Sequence, residues 1–210
     1  MRRAVDIAGA LLALALLLPF LLGIGLLVLV IDGRPALFRQ TRVGKGGQPF
    51  LILKFRTMRP GGAGGSITAA GDSRVTPLGA WLRKFKLDEL PQFVNVLRGD
   101  MSLIGPRPEV PDYVQFDDPL WKAVLAARPG ITDLASLAFR DEEQLLRPVP
   151  DAENYYRTVI LPAKLRLNIL YLRSRSFVTD VRLLWLTALF SLVPGTFSRS
   201  RALRTLRNRA

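Results

Sequence analysis

The sequence predicts an α+β, mainly helical fold with three parts: an amino-terminal re-entrant membrane hairpin (helix-break-helix), a small β-hairpin, and amphipathic interfacial helices. Three observations predict it. Residues 7 to 31 carry no charged side chain, a run of 25. Ala36 to Val43 and Pro49 to Met58 are β-prone stretches joined by Gly44-Lys45-Gly46-Gly47. Most apolar runs after Pro77 repeat at helical spacing. The expected organisation is a membrane segment at 1–33, one catalytic-sized domain at 34–194 and a basic tail at 195–210.

The uncharged run is long enough to cross a bilayer, since a straight helix of that length rises about 37 Å. Two features argue for re-entrance instead. Pro19 sits in the middle, where it removes a helical hydrogen bond and pushes Leu18 from helical angles. Both flanks are cationic, with Arg2 and Arg3 before the run and Arg34, Arg39, Arg42 and Lys45 after it. The positive-inside rule then wants both ends on the cytoplasmic side. In the β-hairpin that follows, Lys54 and Arg56 point to one face and Phe55 to the other. Glycines dominate from Arg59 to Pro77, which reads as a loop. Leu78, Trp81, Leu82 and Phe85 then make a one-sided helix, and Leu90, Phe93, Val94 and Leu97 a second, ended by Gly99. Asp118-Pro119 starts a short helix reaching Ala127. Residues 131 to 140 show no single period. Asp151 to Arg173 is helical in pattern with an interruption at Pro162. Thr179 or Asp180 caps a last helix whose Val181, Leu184, Trp185, Ala188, Leu189 and Leu192 are apolar, too short to span and therefore interfacial or packed.

Composition limits the chemistry. The chain has 210 residues, 49% of them hydrophobic, enough for one domain with a core. It has no cysteine and no histidine, so thiolate chemistry, disulfides and the usual proton shuttle are excluded, and acid or base work falls to carboxylates. A net charge of +13 implies anionic partners: phosphorylated substrates, an acidic bilayer or nucleic acid. The tail residues Arg199, Arg201, Arg204, Arg207 and Arg209 suit anionic membrane lipids, or else form a solvated tail.

Asp88-Glu89 is the strongest chemical signal. The pair lies among cations, is followed by Pro91, and precedes Pro106-Arg107-Pro108-Glu109. An isolated Asp-Glu is ordinarily a capping Asp with a Glu favoured by the helix dipole. Here Asp88 is expected at the cap of the second helix and Glu89 in its first turn, about 100° apart, so the two divide labour. Arg107 between prolines is a stiffly held guanidinium suited to phosphate.

These residues carry a resemblance. Phe38-Arg39-Gln40-x-Arg42-Val43-Gly44, Lys54-Phe55-Arg56-Thr57-Met58, Leu87-Asp88-Glu89-Leu90-Pro91-Gln92, Asn95-Val96-Leu97-Arg98-Gly99-Asp100-Met101-Ser102, Gly105-Pro106-Arg107-Pro108-Glu109 and Arg128-Pro129-Gly130-Ile131-Thr132 follow an apolar run with a central Pro19. That order resembles the bacterial sugar transferases, the monotopic phosphoglycosyl transferases, in their minimal catalytic form. The similarity is dense from about residue 3 to 132 and thinner to about 193. It departs at Asp133 and Ser136, where the family usually has Gly and Gln, and at Phe139-Arg140-Asp141-Glu142-Glu143, which replaces an Asn-Gly-Arg run and keeps only the Arg.

The resemblance implies transfer of a phospho-sugar from a UDP-sugar to polyprenyl phosphate with release of UMP, at the cytoplasmic face of a bacterial inner membrane. It implies Asp88 as nucleophile and ligand of Mg²⁺, Glu89 as its catalytic partner, and Lys54, Arg56, Arg83, Arg107 and Arg140 as the cations that bind phosphate. A homodimer is compatible with the sequence. A membrane-tethered nucleic-acid binder would account for the charge but not for the dyad, so no nucleic acid is expected. A non-catalytic scaffold would not need Asp88, Glu89 and Arg107 intact.

Overall fold

The computed structural model describes residues 2–59, 68 and 70–197. The basic tail beyond 197 and most of the glycine-rich stretch, 60–67 and 69, lie outside the described residues, so the reading of the tail as a lipid contact is not addressed by it.

Among the described residues the chain is mainly helical with two small sheets. One helix, α1 (Arg2–Ile31), covers the whole apolar run with Pro19 inside it. The expected division into two helices by a break is therefore corrected: proline deletes one donor from a ladder that leucine-rich flanks otherwise sustain. The ends of α1 are tied to the body that follows. Near its start, Arg3 donates to the carbonyls of Val96 (2.6 Å) and Leu97 (2.9 Å), and the buried Asp6 accepts from Ser102 Oγ and from Leu103 N (2.9 Å). At its other end, the Arg56 guanidinium donates to the carbonyls of Asp32, Gly33 and Arg34, and Thr76 Oγ1 donates to Asp32 Oδ2 at 2.8 Å. Between these attachments Leu11, Leu12, Leu16, Leu18, Phe20 and Leu22 are exposed. By length and composition α1 is able to cross a membrane.

The hairpin forms as expected: β1 (Leu37–Val43) pairs antiparallel with β2 (Pro49–Phe55), Lys54 opposite Phe38. The far edge of β2 is held by Asn95, fully buried on α3 (Gln92–Arg98), which accepts from Leu53 N (3.0 Å) and donates to Leu51 O (2.7 Å). Helix α2 (Pro77–Lys84), capped by Thr76, matches the first expected helix. Gly99 ends α3 in the left-handed region, as the pattern required.

A second sheet was not legible in the sequence. Strand β3 (Ser102–Ile104) pairs in parallel with β4 (Gly130–Thr132). The two chains approach so closely beyond β3 that a Cβ on Gly130 would lie 2.0 Å from Gly105 N, and one on Gly105 would lie 2.4 Å from Arg128 O. Only glycine fits there. Short helices α4 (Pro119–Leu125, capped by Asp118), α5 (Leu134–Ala138), α6 (Glu142–Leu146) and α7 (Ala152–Tyr155) follow. The expected interruption near Pro162 takes the form of a π-helical turn, Tyr156–Ile160, leading into α8 (Leu161–Ser174). The last helix, α9 (Phe177–Leu192), is capped by Ser176 rather than Thr179 or Asp180. It buries Leu183, Leu186 and Phe190 against Met101, Leu134 and Tyr171, and leaves Phe177, Val181, Trp185 and Leu192 exposed.

Candidate active site

Asp88 and Glu89 lie on a 3₁₀ turn, Leu87–Glu89, entered through Lys86 in the left-handed region (φ 57°). Asp88 is thus not the cap of α3, which begins at Gln92 behind Pro91. A tight turn rotates successive side chains by about 120°, so the two carboxyls part. Glu89 turns to cations. Its Oε1 accepts from Lys54 Nζ at 2.9 Å, and both its oxygens accept the Arg107 fork, Nη1 to Oε2 at 3.0 Å and Nη2 to Oε1. Asp88 is equally buried, yet among the described residues its Oδ1 receives no hydrogen bond.

Electrostatics separate the pair further. Burial pushes the Asp88 carboxyl up, and the Glu89 charge beside it pushes the same way. Burial also works against ionisation of Glu89, but Arg107 and Lys54 outweigh it and hold that carboxyl well below the usual range. Lys54 is lowered by burial, with Glu89 opposing, and Arg107 is raised by Glu89. The result is a fixed anion neutralised by two cations, next to a carboxyl with an unused oxygen. Among the described residues no group of three or more metal-ligating side chains occurs. Magnesium commonly takes one or two carboxylates together with substrate phosphates and water, so Asp88 with its free Oδ1 fits as its protein ligand, while Glu89 is already occupied.

The dyad opens into a cavity of about 1670 Å³. Its walls include Leu17 and Phe20 of α1, Leu37 and Phe38 of β1, and Leu184 and Leu192 of α9, all apolar, and also Lys54, Arg83, Arg107 and Arg140. This is more than the roughly 300 to 1,000 Å³ of a drug-sized pocket. A chain holding a carboxylate dyad in such a site is matched over residues 1–193 by the model of the bacterial sugar transferases. The chain belongs to the bacterial sugar transferase family. It is similar to the UDP-glucose:undecaprenyl-phosphate glucose-1-phosphate transferase of Caulobacter vibrioides, 48% identical over 141 residues, which are 65% of this chain and 53% of that protein. It is 44% identical over 141 residues to the UDP-N-acetylgalactosamine-undecaprenyl-phosphate N-acetylgalactosaminephosphotransferase of Aeromonas hydrophila, covering 65% of this chain and 33% of the relative. The match to the exopolysaccharide production protein PSS of Rhizobium leguminosarum is 35% over 212 residues, 93% of this chain and 96% of that one. The chain thus spans about half or less of the length of the first two relatives and nearly all of the third.

Within this sugar transferase fold the expected cations divide. Lys54 and Arg107 meet at Glu89, each with further N–H groups to offer. Arg56 lines the cavity, but its guanidinium is engaged with the carbonyls that follow α1. Arg83 pairs with Glu143 at 3.1 Å and keeps a buried Nη1 with no partner among the described residues. Arg140 joins Lys84 O (3.2 Å) to Ser191 Oγ (3.5 Å) across the cavity wall, and burial lowers its pKa.

Two groups were not expected. Asp133, fully buried, caps α5 through Ser136 N and accepts from Arg107 N at 2.9 Å, so the departure at this position serves the Arg107 backbone. Beyond Arg107 lies a polar cluster. Tyr156 Oη donates to Glu109 Oε1 (2.7 Å) and accepts from Lys164 Nζ (3.3 Å), Lys164 pairs with Glu142, and Arg42 sits 3.8 Å from Glu109. A signal existed: Lys164 and Asn168 fall on the same helical face as Leu161, Leu165 and Tyr171.

Proposed function

We propose that this protein transfers a sugar-1-phosphate from a UDP-sugar to a polyprenyl phosphate, giving a polyprenyl-diphosphate-sugar and UMP. The observation that carries the reading is the split dyad: Asp88, whose buried Oδ1 is unsatisfied among the described residues, beside Glu89 locked to Lys54 and Arg107. The relatives' names, which specify undecaprenyl phosphate as acceptor, support it.

An Asp88 oxygen attacks the phosphorus that carries the sugar. The bond from that phosphorus to the bridging oxygen breaks, and UMP leaves with the oxygen and its electron pair. An oxygen of the polyprenyl phosphate then attacks the same phosphorus and releases the Asp88 carboxylate. Two displacements suit a soluble donor and a membrane-held acceptor that need not be bound together. A carboxylate approaching a diphosphate meets like-charge repulsion, which the spare N–H donors of Lys54 and Arg107 offset. Asp88 is the residue that would hold Mg²⁺, which when bound would supply positive charge close to the phosphates. The apolar wall from α1 and α9 would admit the acceptor's chain from the bilayer.

The re-entrant topology belongs to the same proposal. Residues near both ends of α1 are bonded to one folded body, which supports both ends lying on the same, cytoplasmic side. The reading is tested by supplying polyprenyl phosphate and a panel of UDP-sugars to membranes containing the protein. UMP release that depends on both substrates and stops with excess chelator is expected. Release from none of them overturns the transferase, and undiminished release in chelator removes Mg²⁺.

A further inference from the structure

The Glu109, Tyr156, Lys164 cluster has no part in the two displacements, yet it borders the same cavity and lies directly behind the phosphate-facing cation. Glu109 follows Arg107 across Pro108, whose carbonyl accepts from Arg42 Nη1 at 3.2 Å. Glu109, Glu142, Tyr156 and Lys164 all line the cavity. Three of them, Glu109, Tyr156 and Lys164, are more than nine-tenths buried. Burying that much charge is costly, and an apolar core would serve stability as well or better. Two further observations point to a ligand. The Tyr156–Ile160 segment is a π-helical turn, a form concentrated at functional sites, and it begins at Tyr156. Ser136 lines the same cavity beside Asp133, the carboxylate that accepts from Ser136 N and Arg107 N, and adds a hydroxyl to that wall.

We propose that Glu109, Tyr156, Lys164 and Ser136 form the subsite that reads the hydroxyl groups of the transferred sugar, an assignment that rests on the transferase reading above. One carboxylate, one ammonium, a phenol and a serine hydroxyl offer both acceptors and donors. That balance suits vicinal hydroxyls, and it exceeds what uracil, with a single ring N–H, could use. The adjacent Arg107 takes the phosphate, which leaves the sugar within reach of the cluster. The ribose of the nucleotide carries the same vicinal-diol chemistry, so the test separates the two.

Initial rates of UMP release would be measured for wild type, Tyr156→Phe and Lys164→Met with UDP-glucose, UDP-galactose, UDP-N-acetylglucosamine and UDP-N-acetylgalactosamine. UDP, which has the ribose and no sugar, serves as competitive inhibitor. The ratio of kcat/KM between the preferred and the next sugar should shrink by about ten-fold or more, because a site built to bond a hydroxyl rejects its absence or inversion. The UDP inhibition constant should stay within about two-fold, the scatter expected when no contact to the nucleotide changes. Equal losses for all four sugars would make the cluster a structural one and overturn the assignment. Weaker UDP inhibition in parallel would move the site to the ribose and overturn it too. If either variant fails to fold by thermal melting, Ser136→Ala gives the same readout with one hydroxyl removed. Failure of the wild type with every donor is seen in the unmodified arm, and it brings down the transferase reading itself.

Discussion

At the residue scale, the adjacent carboxyls of the dyad have opposite relations to stability. Asp88 is raised by burial, so the folded state holds its proton more tightly than the unfolded chain, and its contribution declines as pH rises from the ordinary carboxylate value to the raised one. Glu89 is held low, so its contribution is complete above the unfolded value, about 4, and is lost as pH falls through its depressed folded value. Asp88→Asn should therefore abolish UMP release while melting no lower than wild type at neutral pH; near-normal release would end the nucleophile assignment. Glu89→Gln should lower stability by about 3 kcal/mol, the lower end for breaking a buried pair, since Lys54 and Arg107 keep 16% and 28% of their side chains exposed. Denaturant melts of the two variants check both signs. In the metal-free protein Asp88 should keep its proton to a higher pH than a solvated aspartate, because burial and the Glu89 charge both oppose its ionisation. An NMR titration of the metal-free protein in which Asp88 ionises at or below the ordinary aspartate value would contradict this.

At the element scale, the site depends on supports that carry no chemistry. The parallel pair β3 and β4 brings Asp133 beneath Arg107, and Asn95 fastens β2, which carries Lys54, to α3. Asp133→Ala removes a helix cap, worth about 1 kcal/mol, and the acceptor of Arg107 N. We expect kcat/KM to drop roughly ten- to a hundred-fold through misplacement of the guanidinium, with the acid limb of the pH profile unmoved. Asp133→Asn should be impaired as well, because one of its two terminal atoms becomes a donor facing a donor. An unimpaired Asp133→Ala would show that Arg107 is held by its flanking prolines alone. Of these supports the sequence announced Gly99 and the β-hairpin. It did not announce the second sheet, because three-residue strands carry no measurable alternation and their pairing partner is about 28 residues away.

For the whole molecule, the question is how α1 meets the membrane. Residues near both its ends hydrogen-bond to the same body, so the proposed re-entrant topology would rest on Arg3, Asp6, Asp32 and Arg56 rather than on a helix break at Pro19. In this cysteine-free chain, single cysteines at Ala4 and Arg34 should both be shielded from an impermeant thiol reagent in intact cells, and both react once the inner membrane is opened. Adding Arg3→Ala and Asp6→Ala should free the amino-terminal end, so that position 4 labels from outside while position 34 stays protected. Labelling of position 4 from outside without those changes would replace re-entrance by a single span.

The sequence by itself determined what local chemistry controls: the apolar segment, the β-hairpin with its glycine turn, the helix periods, and the residue types of the dyad among cations, since each is written within a few neighbouring positions. It misplaced Asp88 as a helix cap because a 3₁₀ turn and a helical first turn have the same residue preferences. Only the tertiary structure decided which cations serve the dyad. Lys54 and Arg56 read alike along a strand, yet one reaches Glu89 and the other closes the carbonyls after α1. Only packing, likewise, put Asp133, Tyr156 and Lys164 around Arg107. A charge in the chain records its sign but not its partner, and the partner is fixed by contacts between segments far apart in sequence.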